Sequence, residues 1–271
     1  MSTVVFVHAH PDDEAIATGG TMAGLAADGH RVVLVTATAG ELGEIPDGML
    51  KDGESLAERR AVELDEAGRL LGVARQAYLG YHDSGMAGEE SNHRPDAFAT
   101  ADVDEAAGRL AKILDEENAD VLVIYDEHGG YGHPDHVKVH TVGVRAADMA
   151  GTPRVFMATM DRGFLQSLSE QAAQVEEAEE GWSVPEDTVA DMQTMGEPSD
   201  RITTEVDVTK WIDAKRDAMR AHATQISEQS FFLAMPPEIF ELVWGHEWYI
   251  RTRPEAPNPY PGPRETSLLG D

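Results

Sequence analysis

Residues 3–14 read TVVFVHAHPDDE, and residues 121–136 read VLVIYDEHGGYGHPDH. Each stretch opens on a short, β-branched apolar run, the pattern of a strand buried on both faces of a parallel sheet. Each run then stops at His, Pro and Asp. In an open α/β sheet, ligands bind at the carboxyl ends of the strands. Two strand ends bearing imidazoles and carboxylates therefore point to one shared site.

Outward from these stretches, strands and helices alternate. Glu14–Asp28 reads as a helix stopped by Gly29, and Arg31–Ala37 as a second buried strand. Ser55–Leu71 reads as a helix with a Ser55/Glu58 capping box and Gly72 at its end. Ala77–Gly80 is a short strand, Val103–Glu117 a helix, Asp120–Tyr125 a strand, Asp135–Ala150 a helix and Arg154–Thr159 a strand. This alternation predicts an α/β fold: a Rossmann-like, mostly parallel sheet flanked by helices. After Asp161 the pattern weakens. Gln171–Glu180 reads as an acidic helix, Gly181–Asp200 as a loop, and Ile202–Val208 as a half-buried strand. Val208–Ala223 and Pro236–Trp248 read as helical, His246–Arg251 as a last strand, and Pro254–Pro263, with five prolines, as a tail. With no repeat or linker, residues 1–271 are expected to form one domain, a core over 1–160 and a C-terminal elaboration over 161–271.

Composition narrows the function. The 271 residues carry 21 Lys+Arg against 50 Asp+Glu, a net charge of −29. That argues against nucleic acid held through its phosphates and against an anionic membrane surface. Cysteine is absent, so disulfides, thiolate metal sites and cysteine nucleophiles are excluded. Any metal must be held by His, Asp and Glu. Neither a signal-peptide pattern nor a membrane-length apolar run occurs, so a cytoplasmic protein is expected. The Gly-x-Ser-x-Gly elbow of serine hydrolases is missing, and Gly129-Gly130-Tyr131-Gly132 does not fit a dinucleotide fingerprint.

Catalytic zinc takes three imidazole or carboxylate ligands and keeps one position open. His10 and Asp13, three residues apart across a Pro-containing turn, converge on one point, and His136 is the candidate third ligand. The expectation is one zinc per chain, with iron an alternative in such a donor set. Asp12 stays free as general base. A protonated His133, held by Asp135, and Tyr131 fit as oxyanion donors. Taken singly, either motif also reads as a helix-capping turn. His8 and His140 read as structural or supporting histidines. A metal phosphoesterase, which more often needs two metals, and a non-catalytic metal- or sugar-binding protein are the competing classes.

"AHPDDE" followed by "HPDH" resembles the PIG-L/LmbE zinc-dependent deacetylases, over most of residues 3–160. "DSGMAG" (83–88), residues 125–140 and "RAHATQI" (220–226) are most similar to the family's actinobacterial mycothiol branch, which comprises an N-acetylglucosaminyl-inositol deacetylase and an S-conjugate amidase. The resemblance implies the ligands His10, Asp13 and His136, the base Asp12, and oxyanion donors His133 and Tyr131 supported by Asp135. It also implies a sugar-contacting Arg at Arg59 or Arg60, whose alternative is a surface charge pair. Asp83 and Ser84 are candidates for substrate hydroxyls. His222 and Gln225 reach either the site rim or the packing, while Trp244, Trp248, Phe231 and Phe232 read as core or interface. The expected activity is removal of an N-acetyl group from an N-acetylglucosamine-containing small molecule, with cleavage of a larger thiol-conjugate amide as the alternative. The oligomeric state is left open, with room for a homo-oligomer.

Overall fold

β1 (Thr3–His8) is an interior strand, third from one edge, of a seven-stranded sheet. Its alternation decides how the sheet is covered, since successive side chains point to opposite faces. Val5 and Val7 pack with Leu110, Val139 and Val142, while Val4 and Phe6 pack with Met22, Leu64, Met219 and Phe240. Burying each of these larger apolar side chains is worth about 1.5–3 kcal/mol. A computed structural model describes residues 1–168, 195–256 and 262–270.

β1 pairs in parallel with β2 (Arg31–Thr38) on one side and with β4 (Val121–Tyr125) on the other. β3 (Arg75–Tyr81) lies beyond β2, and β5 (Arg154–Thr159) beyond β4, also parallel. The chain thus reverses its direction of travel across the sheet between β1 and β4. Such a switch point opens a crevice at the carboxyl ends of its two strands, and the two motifs follow β1 and β4. β7 (His246–Arg253) adds antiparallel to β5, and β6 (Thr204–Asp207) antiparallel to β7. Helices α1 (Asp13–Ala17), α2 (Gly19–Ala27), α3 (Leu56–Leu70), α4 (Val103–Glu117), α5 (Gly129–Gly132), α6 (Pro134–Ala150), α7 (Ile212–Ala221) and α8 (Pro237–Trp244) complete the described elements used below. None of the described helices is long and apolar enough to cross a membrane.

The capping box on α3 forms as its sequence predicts: Ser55 accepts from Glu58 N, and Glu58 accepts from Ser55 N. The helix expected over Glu14–Asp28 is instead broken at Thr18. The physical reason is distant in sequence. The carboxylate of Glu247 accepts from Gly20 N and Thr21 N at 2.9 Å each, satisfying the amino end of a new helix. The helix expected from Val208 begins as a 3-10 turn over Thr209–Trp211 before α7. The loop expected before Pro134 contains the short turn α5. Residues 257–261 of the expected tail lie outside the described residues, and beyond it Glu265 N donates to Thr203 O and Leu268 is buried. The acidic helix expected over 171–180, and residues 181–194 of the expected loop, lie outside the described residues.

Candidate metal and catalytic site

The turn after β1 folds back on itself. His10 N donates to Asp13 Oδ2 at 2.8 Å. Asp13 opens α1, and Asp12 before it has φ 121°, ψ −33°. A non-glycine residue there costs about 1–3 kcal/mol and persists only where the surroundings over-determine it. The second motif is built by a helix start. His133 caps α6 with its Nδ1 accepting from Asp135 N at 3.1 Å, Pro134 supplies a pre-set φ, and His136 falls in the first turn. Gly129 lets the preceding loop press onto that turn, because a Cβ there would stand 2.6 Å from His136 Cβ.

The two motifs meet. Asp13 Oδ2 lies 3.4 Å from His10 Nδ1 and 3.3 Å from His136 Nε2. His136 Nε2 is buried and makes no hydrogen bond. Its ring is stacked on Tyr125 at 4.3 Å and met edge-on by Tyr131 at 4.9 Å, which fixes its direction. An orphaned imidazole nitrogen beside a carboxylate oxygen fits a cation between them.

Two triads have ligand atoms within 4.8 Å of one another: His10/His133/His136 and His10/Asp83/Asp135. Hydrogen-bond accounting separates donors that are spent from those that are free. Both oxygens of Asp135 take bonds from Ser84, one from the backbone N–H at 3.0 Å and one from the hydroxyl. Asp83 accepts from Leu42 N and Gly85 N. Both carboxylates face His10 Nε2, at 3.2 and 3.4 Å. A carboxylate on the far nitrogen of a ligating histidine fixes its tautomer and raises its basicity. Nδ1 of His10 and Nε2 of His136 both face Oδ2 of Asp13, which also accepts from His10 N, and His133 adds a further imidazole to the same cluster. A third group, Glu127/His128/Glu197, is already bridged by Arg201 at 2.8 and 2.9 Å.

Electrostatics fit the same division. Burial resists ionisation of Asp13, but His136 and His10 overcome it and hold the carboxyl well below its ordinary range. Burial opposes a charge on His10 too, but Asp13, Asp135 and Asp83 outweigh it and raise the imidazole well above 6.5. This excess of carboxylate is what a cation would neutralise. Asp12 behaves differently from its neighbour. Burial pushes it up to about 6 against the pull of Arg60. Burial, with His10 and His136 nearby, lowers His133 to about 4. His133 is thus neutral near pH 7, and because its Nδ1 is an acceptor, its proton sits on Nε2. Local desolvation of its hydroxyl and the surrounding carboxylates raise Tyr131, which stays a hydroxyl donor although the ring is half exposed.

Several expectations are corrected. Asp135 does not hold His133 through its carboxylate: the contact is the backbone N–H, and the carboxylate serves Ser84 and His10. The lowered pKa of His133 favours the neutral imidazole over the imidazolium expected from sequence. Arg60 is buried: it donates to Gly40 O at 2.7 Å, to Pro11 O, and to Asp12 Oδ2 at 3.0 Å. A Cβ on Gly40 would stand 2.3 Å from that guanidinium. Arg59 pairs with Glu54 at 2.7 Å. Asp83 and Ser84 are buried and spent on Leu42, Gly85 and Asp135 rather than open to substrate hydroxyls. His8 bonds Tyr125 Oη and Thr18 Oγ1, and His140 bonds Tyr125 O, the supporting roles expected of them.

A cavity of about 510 Å³ adjoins the cluster. Asp12, Asp13, Tyr131 and His136 line it together with Phe231, Phe232, Trp244 and Trp248. The aromatic residues expected in the core are therefore cavity walls as well.

The sequence profile of the PIG-L family, described as GlcNAc-PI de-N-acetylase, matches residues 5–147. A 1D-myo-inositol 2-acetamido-2-deoxy-alpha-D-glucopyranoside deacetylase of Nocardiopsis dassonvillei is 42% identical, covering 98% of this chain and 99% of its own. The chain belongs to the PIG-L family. A deacetylase of the same description from Catenulispora acidiphila is 41% identical, covering 91% of this chain and 82% of its own. The family likeness therefore runs well past residue 160. Among solved structures, the N,N'-diacetylchitobiose deacetylase of Pyrococcus horikoshii superposes with a TM-score of 0.56 at 21% identity, covering 93% and 84% of the two chains, a likeness of fold. Sequence reasoning gave no role to Glu14, the last letter of the first motif. It accepts from Asp12 N at 3.0 Å and meets His222 Nε2 at 2.6 Å.

Proposed function

We propose that this protein hydrolyses the N-acetyl group of an N-acetylglucosamine-containing small molecule, using one zinc ion held by His10, Asp13 and His136. The reading is carried by the different settings of two adjacent carboxylates. Both line the cavity, but Asp13 lies between two imidazoles, whereas Asp12 is clamped by Arg60. When bound, the metal supplies a Lewis acid and lowers the pKa of an attacking water. Asp12 accepts the water's proton and returns a proton to the leaving amine. His133, through Nε2–H, and the Tyr131 hydroxyl are donors for the developing oxyanion. Asp83 and Asp135 hold His10 in the tautomer that leaves Nδ1 free.

The substrate class follows the relatives named as deacetylases of an inositol glycoside of N-acetylglucosamine. The test is acetate release from that compound and from N-acetylglucosamine, by protein as isolated, chelated, and reloaded with zinc or iron. Activity lost on chelation and restored by zinc supports the reading. Release that ignores the chelator overturns it. The aromatic cavity wall favours a second reading, cleavage of a larger amide with an apolar arm. Faster turnover of such an amide than of the acetylated glycoside would establish that one instead.

A further inference from the structure

The strained backbone of Asp12 is tied into a circuit of polar groups that starts and ends on α3. Arg60 donates to Asp12 Oδ2 at 3.0 Å. Asp12 N donates to Glu14 Oε2 at 3.0 Å, and the other oxygen of Glu14 meets His222 Nε2 at 2.6 Å. Two residues further on, Thr224 gives its N–H and hydroxyl to Glu63 at 3.0 and 2.6 Å. Glu63 stands one turn along α3 from Arg60. Glu14, His222, Thr224 and Glu63 are buried, and none of them lines the cavity.

We infer that His222 is a positioning residue for Asp12: acting through Glu14, it fixes the Asp12 backbone and hence the direction of the carboxylate. Thr224 and Glu63 close the circuit by anchoring the end of α7 to the helix that carries Arg60. The inference rests on Asp12 being the base of the proposed reaction. Its physical basis is the cost of leaving a buried charged group short of a partner. Without the His222 donor, the Glu14 carboxylate is free to turn, Asp12 N–H loses a fixed acceptor, and the positive φ is no longer over-determined. His222 lies outside residues 5–147, so the C-terminal region completes a turn whose chemistry belongs to the first strand end.

The test uses the zinc-loaded full chain and 1D-myo-inositol 2-acetamido-2-deoxy-α-D-glucopyranoside. His222→Ala is expected to lower kcat by about 10- to 100-fold, the scale of a roughly 1 Å misplacement. KM should stay within about twofold and bound zinc at the wild-type level, since substrate binding is not the function lost. His222→Gln, whose amide keeps a donor near Nε2, should recover most of kcat. In the Asp12→Asn background, His222→Ala is expected to cost less than about twofold more, because residues acting as a unit are non-additive. Losses that multiply in the double variant, or wild-type kcat in His222→Ala, overturn the inference. Full activity in Asp12→Asn alone instead overturns the reading of Asp12 as base, so the two failures are distinguishable. If His222→Ala does not fold, Thr224→Val, which removes the hydroxyl donor to Glu63 and a 3.3 Å acceptor of Gln225 Nε2, enters the same cycle. A smaller kcat loss that vanishes in the Asp12→Asn background supports the inference, and an additive one overturns it.

Discussion

At the amino ends of the strands, Arg31 opens β2, Arg75 opens β3, and both guanidiniums reach Glu117 at the close of α4, at 2.6 and 2.8 Å. Asp120 accepts from Thr3 N, and His30 from Ser2 N. Arg31, Arg75, Glu117 and Asp120 each have a partner, and the two arginines keep contact with water. At the carboxyl ends the same residue types are crowded and buried. Three carboxylates surround His10, His136 Nε2 is orphaned, and Asp12 is strained. One end has charge arranged for stability, and the other has charge whose local cost only function explains.

Removing what binds the orphaned atoms should break this contrast most severely. Chelation, or His136→Ala, is expected to abolish acetate release and remove one zinc per chain by elemental analysis. Chelation should also lower Tm, because a ligand that binds only the folded state stabilises it. An unchanged zinc content in His136→Ala would assign the third ligand elsewhere, with His133 next by distance.

Asp12→Asn comes second. Loss of the base should reduce kcat by about 10²- to 10⁴-fold. Zinc content should hold and Tm should not fall, since Asn tolerates positive φ at least as well as Asp and one buried carboxylate is removed. A large drop in Tm with modest loss of turnover would place Asp12 among the stabilising charges and dissolve the contrast. Tyr131→Phe removes one donor to the oxyanion, and a loss in kcat of about tenfold, smaller than for a buried oxyanion donor because Tyr131 is 53% exposed, is expected. Wild-type kcat in that variant would take Tyr131 out of the reaction.

The strand ends were legible because their signals are local. A β-branched run cut off by His-Pro-Asp marks a buried strand and its ligand end without knowledge of the partner strand. Ser55 with Glu58, and His133 with Pro134, carry helix starts within four residues. What was illegible depends on contacts between distant segments. Arg59 and Arg60 look alike in sequence; one pairs with Glu54 in a part-buried setting, and the other is buried because Gly40 leaves room beneath the Asp12 turn. Asp135 sits two residues from His133, yet the helix start offers His133 the backbone N–H while the carboxylate meets Ser84, 51 residues away. Glu14 and His222 are 208 residues apart, and no periodicity links them.

The smallest expected effect comes from the other end of the sheet. Hydrogen bonds from Arg31 and Arg75 outweigh burial and lower the Glu117 carboxyl to about 2, against about 4.3 in an unfolded chain. A depressed folded value contributes stability that is complete above the unfolded value and is lost as pH falls through it toward about 2. Glu117→Gln should therefore lower stability at pH 7, by about 1 kcal/mol or less because the arginines are part-exposed and screened. The gap in Tm between variant and wild type should narrow as pH falls from 5 toward 3, where wild type begins to lose what the variant never had. Acetate release should stay at wild type, since no atom of this triad lines the cavity. A gap that widens in acid would mean that Glu117 gains nothing from its ionised form. Impaired turnover would mean that the two ends of the sheet are coupled, and that the division between a stabilising end and a reactive end is drawn too sharply.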